Sequence, residues 1–517
     1  MLIYYKRCFC EIQEEISAER KKNEQTVKSS ESPKKNYPNE AKRAMMIYVK
    51  LCVFVSINGE RGRPMKQFWR NLVLAGMLAA LLALSGCSMP ELNLNPEELY
   101  SLPTLPDKYT ELNTQLNAIL EDGAEYAAPA SGANIQPVQL VDLDGDGREE
   151  AVAFFRNSGD EKPLKIYIFT VEEDSYRQTE LIEGTGTGFY SIAYEDMDHD
   201  GRMELAVGWK ATVEHQILEV YKLHPAGAEA LIRTDYVKYT TSDLNQDEKK
   251  ELVVIRTDED GEGVADYYTW QEDGSLTNQS SARISVTMAE LSQQGRVTRG
   301  VLQEEIPALF VTGVTDMSRA ITDILAVRNG ELTNIVLSEV TGVSTELAPY
   351  RSLYPTDING DGYTEVSKAV QMDSLMDDGT FYERTDWYQY DDEGKSAVTL
   401  RTYHNLEDGW YLRLPEDWLG RIWVSRSVIT DETTVTFYIL KEIREEPEPF
   451  LRITAITGSS RENRAVRGTR FLLSRQDETI YTAELLDANE TWKYGVTADE
   501  VREAFSLITA EWSAGDY

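Results

Sequence analysis

Residues Asp142–Glu150 read DLDGDGREE, which sets five acidic side chains and two glycines into nine residues. Like charges at this density repel one another unless something neutralises them. The stretch recurs as DMDHDGRME at Asp196–Glu204, DLNQDEKKE at Asp243–Glu251 and DINGDGYTE at Asp357–Glu365. Each copy carries an oxygen-bearing side chain at its first, third, fifth and ninth places, and three of the four have glycine at the sixth. Internal repetition of this kind marks a chain built from one supersecondary unit used several times.

The spacing has a chemical reading. Calcium takes six to eight oxygen ligands at roughly 2.3–2.6 Å. In a tightly curled loop alternate side chains point inward, and a glycine reaches the left-handed conformation that costs other residues about 1 kcal/mol or more. The predicted side-chain ligands are Asp142, Asp144, Asp146 and Glu150 in the first loop, and Asp196, Asp198, Asp200 and Glu204 in the second. In the third they are Asp243, Asn245, Asp247 and Glu251, and in the fourth Asp357, Asn359, Asp361 and Glu365. The seventh residues, Arg148, Arg202, Lys249 and Tyr363, are expected to offer backbone carbonyls. The third loop departs from the pattern, with Glu248 where glycine belongs. An EF-hand closes with glutamate at the twelfth place. Here it falls at the ninth, and a strand-like run follows at once: EAVAFFR, ELAVGWK, ELVVIRT and EVSKAV. The competing reading is a solvated turn, since Asp, Asn and Gly favour turns without any metal.

With strands on both sides, residues 130–404 resemble the FG-GAP/VCBS repeats of integrin-α-like β-propellers. The closest stretch is GTGFYSIAYEDMDHDGRMELAVGW, with Gly188-Phe189 before its loop and Val207-Gly208 after it. The resemblance implies a mainly β fold, a β-propeller of about five four-stranded blades, with up to four structural calcium ions. Repeats are expected to start at Asp142, Asp196, Asp243, Asp316 and Asp357. The Asp316 unit lacks an ion because Ala320 takes the fifth place, and LSQQGRVTRGVLQEE reads as an insertion that lengthens it. Asp273-Gly274, Asn329-Gly330 and Glu393-Gly394 suit tight hairpin turns. Residues 405–517 lack the repeat and read as a separate, smaller α+β domain. Its last helix is expected to start at a Thr497–Glu500 capping box and to carry a stripe of Val501, Phe505 and Ile508.

The front of the chain carries an address. Lys66 and Arg70 precede an apolar run at Leu72–Leu84, followed by Ser85-Gly86-Cys87. Thirteen apolar residues suit a signal-peptide core better than a membrane span. The ending resembles the lipobox of bacterial lipoproteins, which implies a lipid on Cys87 and a location outside the cytoplasmic membrane. Residues 65–86 are then the signal peptide and 87–106 a proline-rich tether. Residues 1–64 are expected to be a spurious upstream extension, with translation starting at Met65. Residues 107–129 hold a helix and linker, with Asp107 as cap and Leu112, Leu116, Ile119 and Leu120 on one face.

The net charge is −36. Such a surface repels phosphate backbones, so nucleic acid is not expected as a partner. The four histidines, at 199, 215, 224 and 404, form no His-x-x-x-His pair, and no Gly-x-Ser-x-Gly elbow occurs. The cysteines are Cys8, Cys10, Cys52 and Cys87, so nothing beyond residue 87 can form a disulfide within itself. Trp209, Trp270, Trp387, Trp410, Trp418 and Trp423 fit ordinary sheet packing better than sugar stacking. The expected function is therefore a lipid-anchored, non-enzymatic binding or scaffold protein for an unidentified protein or envelope polymer. The alternative is a surface hydrolase acting on polysaccharide or peptide, with the propeller as its platform.

Overall fold

A computed structural model describes residues 109–508, apart from 173–174, 214, 225–226, 316, 350–352, 373–381 and 442–445. The upstream extension, the signal peptide, Cys87, the tether and Asp107 lie outside the described residues. Among the described residues no helix is long and apolar enough to cross a membrane.

The chain is mainly β, in six antiparallel sheets that follow one another in sequence except that the fifth takes its last strand from beyond the sixth. The first pairs Val138–Val141, Glu150–Arg156, Leu164–Glu172 and Ser175–Gly184, with Glu125–Tyr126 pairing the far end of Glu150–Arg156 beside Val138–Val141. The second holds Gly188–Glu195, Glu204–Lys210, Gln216–His224 and Gly227–Tyr236, and the third Lys238–Ser242, Glu251–Thr257, Gly263–Trp270 and Leu276–Arg283. The fourth runs Arg296–Leu302, Ile306–Val314, Arg319–Arg328 and Glu331–Asn334, with Leu347–Pro349 added to its third strand. The fifth holds Val366–Gln371, Glu383–Tyr390, Ser396–Asn405, Trp410–Arg413 and Phe505–Leu507. The sixth is built from Ile422–Ile429, Glu432–Ile439, Glu448–Ile456, Ile480–Leu485 and Phe471–Arg475.

The apolar runs behind the loops explain the stacking. Successive side chains of a strand point to opposite faces, so a run such as EAVAFF presents two apolar faces at once. Val152 and Phe154 pack with Leu205, Val207 and Trp209 of the second sheet. Ala206 on the other face meets Leu252 and Val254 of the third. Val253 and Ile255 pack with Leu309 and Val311, Ala308 and Phe310 with Val366 and Tyr390, and Tyr403 and Trp410 with Val424, Phe437 and Ile453. Five of the six candidate tryptophans, all but half-buried Trp270, are core residues.

The two ends of the series are covered by helices. Leu112 and Leu116 of α1 (Thr110–Glu121) lie on Ala151, Ala153 and Phe155 of the first sheet. Ala465, in the short helix Arg461–Ala465, packs on Ile456 and Ile480 of the sixth. No apolar cluster among the described residues joins the first sheet to the sixth, so the contact that would close a ring is not among those described.

Three expectations need correction. The segment around Asp316, itself outside the described residues, connects the second and third strands of the fourth sheet. The connection equivalent to an ion loop is Gln303–Glu305, between the first and second strands, and Arg296–Leu302 is the sheet's first strand rather than an insertion. The boundary at 404/405 runs through the fifth sheet, which takes Trp410–Arg413 and Phe505–Leu507 from beyond it. The Thr497–Glu500 capping box is present, but the helix ends at Ala504 and Phe505 begins a strand.

Candidate metal centres

The first three acidic loops join the first and second strands of their sheets, the fourth leads into Val366–Gln371, the first strand of the fifth sheet, through an isolated Thr356–Glu365 bridge, and all four share one hydrogen-bond scheme. The first aspartate accepts from the amide of the sixth residue: Gly147 to Asp142 at 3.0 Å, Gly201 to Asp196 at 3.0 Å, Glu248 to Asp243 at 3.0 Å and Gly362 to Asp357 at 2.9 Å. The fifth aspartate accepts from the seventh residue's amide, so Arg148, Arg202, Lys249 and Tyr363 bind Asp146, Asp200, Asp247 and Asp361 at 2.8–3.0 Å. The closing glutamate accepts from the second residue's amide: Leu143 to Glu150, Met197 to Glu204, Leu244 to Glu251 and Ile358 to Glu365, at 2.8–3.1 Å. Those second residues are buried apolar anchors.

Two residues per loop are left-handed. The sixth place has φ of 85° at Gly147, 87° at Gly201, 74° at Glu248 and 91° at Gly362. The fourth place is also left-handed, at Gly145, His199, Gln246 and Gly360. The third loop therefore reaches the same fold with a glutamate in a strained position.

The loops also bind each other. The amide of Met203 donates to the carbonyl of Leu143 at 2.8 Å, and that of Lys250 to Met197 at 2.7 Å. The Gln246 side-chain amide donates to the Glu305 carbonyl at 2.7 Å, reaching the fourth sheet.

The loops differ in how they fit a divalent ion. Asp142, Asp144 and Asp146 each bring a carboxylate oxygen within 4.8 Å of the others, as do Asp357, Asp361 and Glu365. In the fourth loop Asn359 and Gln389 point side-chain amides at Asp361 and Glu365 at 2.8–2.9 Å. An amide turned over presents an oxygen instead, so the fourth loop suits a hard cation with oxygen ligands. The first loop does so once the exposed Arg148 guanidinium, which donates from Nε to Asp146 Oδ2 at 2.8 Å, swings away. Beside the first loop a cavity of about 340 Å³ is lined by Asp144, Glu150, Thr170, Glu180 and His224. In the third loop Asp243, Asp247 and Glu251 form no such group.

The second loop brings Asp196, Asp198 and Glu204 together, but a cation from the chain is already among them. The Lys222 ammonium binds Asp198, lies 2.8 Å from Asp200 and sits 3.7 Å from Glu204 Oε1. Burial alone would depress that ammonium, but its bonds to Asp198 and Asp200 hold its pKa above the ordinary lysine value. This second set, predicted as calcium ligands, does not fit a divalent ion as it stands.

Burial, followed by the neighbouring carboxylates, pushes the closing glutamates up: Glu204 and Glu251 to about 7, with Glu150 and Glu365 raised as well. A cation would reverse that preference by favouring the ionised form.

The residue that faces each closing glutamate escaped the sequence reading. Continuing each ladder by one residue sets Glu150, Glu204, Glu251 and Glu365 beside Thr170, Lys222, Thr269 and Gln389 of the next strand in each sheet.

No curated protein matches the chain. Several solved structures align weakly. A protein from Lactobacillus plantarum aligns at 12% identity over 63% of this chain and 86% of its own, with a TM-score of 0.23. A B. megaterium levansucrase mutant aligns at 11% over 54% and 86%, with a TM-score of 0.22, and Saccharomyces cerevisiae Sqt1 at 8% over 56% and 81%, with a TM-score of 0.25. Similarity at this level carries no functional reading. A family profile described as an FG-GAP-like repeat matches residues 142–207, the stretch that contains the first two acidic loops.

Proposed function

We propose that this chain is a lipid-anchored, extracytoplasmic binding or scaffold protein whose sheets are blades of the propeller kind, stiffened by calcium in the first and fourth loops. The observation that carries the reading is the common hydrogen-bond scheme of the four loops, which converges carboxylate oxygens in the first and fourth. Asp142, Asp144, Asp146 and Glu150 would hold one ion, and Asp357, Asn359, Asp361 and Glu365 the other. When bound, calcium supplies the positive charge that lets these acids crowd together, and it links folding to ion concentration. Cys87 takes the lipid, and the partner is a protein or polymer of the envelope.

The test is expression of the full chain in a bacterial host fed an alkyne-tagged fatty acid, beside a Cys87→Ser variant. The reading expects label on the wild type, none on the variant, and wild-type protein in the membrane fraction that retains isolated envelope polymer in calcium and releases it in chelator. Unlabelled wild-type protein in the soluble fraction would refute the anchor, and binding indifferent to chelator would refute the calcium role.

A further inference from the structure

The four loops share a backbone but not a neighbour. The position facing the closing glutamate holds a short neutral residue in the first and third loops (Thr170, Thr269), a neutral amide in the fourth (Gln389) and an ammonium in the second (Lys222). We infer that this facing residue sets each loop's cation, and that Lys222 is the cation of the second loop, tethered in place of a metal ion. The inference rests on the reading of these loops as cation sites.

The geometry around Lys222 is that of a filled site. Its side chain is only 13% exposed and reaches three carboxylates of the loop, Asp198, Asp200 and Glu204, the last fully buried. Trp270 of the third sheet lies beyond it, with the ammonium 5.7 Å from the ring centroid. Glu204 Oε1 and Asp198 Oδ1 are buried without a hydrogen-bond partner among the described residues, so the ammonium is the positive charge those oxygens face. A calcium ion in contact with Asp198 and Glu204 would sit against this ammonium, and like charges at contact distance repel strongly where water is excluded. The second loop would then stay closed when calcium is scarce, while the first and fourth respond to it.

The experiment uses the full chain and counts bound calcium by titration calorimetry for wild type, Lys222→Met and Asp198→Asn, with circular dichroism as the folding control. Lys222→Met is expected to gain one calcium per chain over wild type, and Asp198→Asn to leave the wild-type count unchanged. A folded Lys222→Met with no gain, or an Asp198→Asn that loses one ion, would overturn the inference. Amine acetylation of wild type gives a second readout free of mutation. Lys222 is expected to react more slowly than exposed Lys162 in chelator and in calcium alike, and a rise in its labelling on adding calcium would overturn the inference. A wild type that binds no calcium at all would sink the proposed function yet leave the Lys222→Met gain and the acetylation pattern as valid tests.

Discussion

The amide of Met203 donates to the carbonyl of Leu143 at 2.8 Å, tying the eighth place of the second acidic loop to the second place of the first. Lys250 repeats the bond to Met197 at 2.7 Å, so three loops form a lateral chain of main-chain contacts. Leu143 also donates its own amide to Glu150, a predicted ligand, so order imposed on the first loop passes directly to the second. Calcium is therefore expected to slow hydrogen exchange at Met203 and Lys250 as well as within Asp142–Glu150. Exchange mass spectrometry in calcium and in chelator checks this, and protection confined to the first loop would break the link.

Glu248 occupies a left-handed position, φ 74°, that glycine holds in the other three loops. Glu248→Gly is expected to stabilise the protein by up to about 1 kcal/mol, because relief of backbone strain outweighs the added freedom of the unfolded chain. The check is urea unfolding, where the midpoint should rise at constant slope.

Glu251 is 1% exposed, and burial followed by the charges of Asp247 and Asp243 raises its pKa to about 7. An acid whose folded pKa lies above its unfolded value favours folding while protonated. Its contribution is fully present below about pH 4.5 and is lost as pH rises through 7. In chelator, wild type is expected to lose of order 3 kcal/mol across that window relative to Glu251→Gln. Parallel stability–pH curves for the two proteins would contradict the assignment.

A Cβ at Gly184 would overlap the six-membered ring of Trp209, the largest side chain between the first and second sheets. Gly184→Ala is expected to cost about 1–3 kcal/mol by overpacking, although Gly184 sits at an ordinary φ. Loss of the Trp209 fluorescence environment together with a lower melting temperature checks it.

Much of this was legible in the sequence because loop chemistry is local. The four acidic stretches, the strands after them and turns such as Asn329-Gly330, with φ of 54° and 82°, follow from residue type and short spacing. The fourth sheet was misread because Asp316 imitates a first place, whereas the true connection is Gln303–Glu305, a turn with Glu304 and Glu305 left-handed and no spaced acids. Lys222 was hidden because the run from the closing glutamate to its facing residue varies, 20 residues to Thr170, 18 to Lys222 and to Thr269, and 24 to Gln389, so one spacing does not find the facing residue in every repeat. Phe505 was read into a helix because Val501, Phe505 and Ile508 share helical spacing, but pairing of Phe505 with Leu412 prevails.

Titration calorimetry of the full chain with calcium, followed by thermal unfolding with and without chelator, tests the central claim most directly. The account predicts two calcium ions per chain and a melting temperature that rises with calcium, each site adding about 2.7 kcal/mol when calcium stands at a hundred times its dissociation constant. No binding heat together with a melting temperature indifferent to chelator would contradict it.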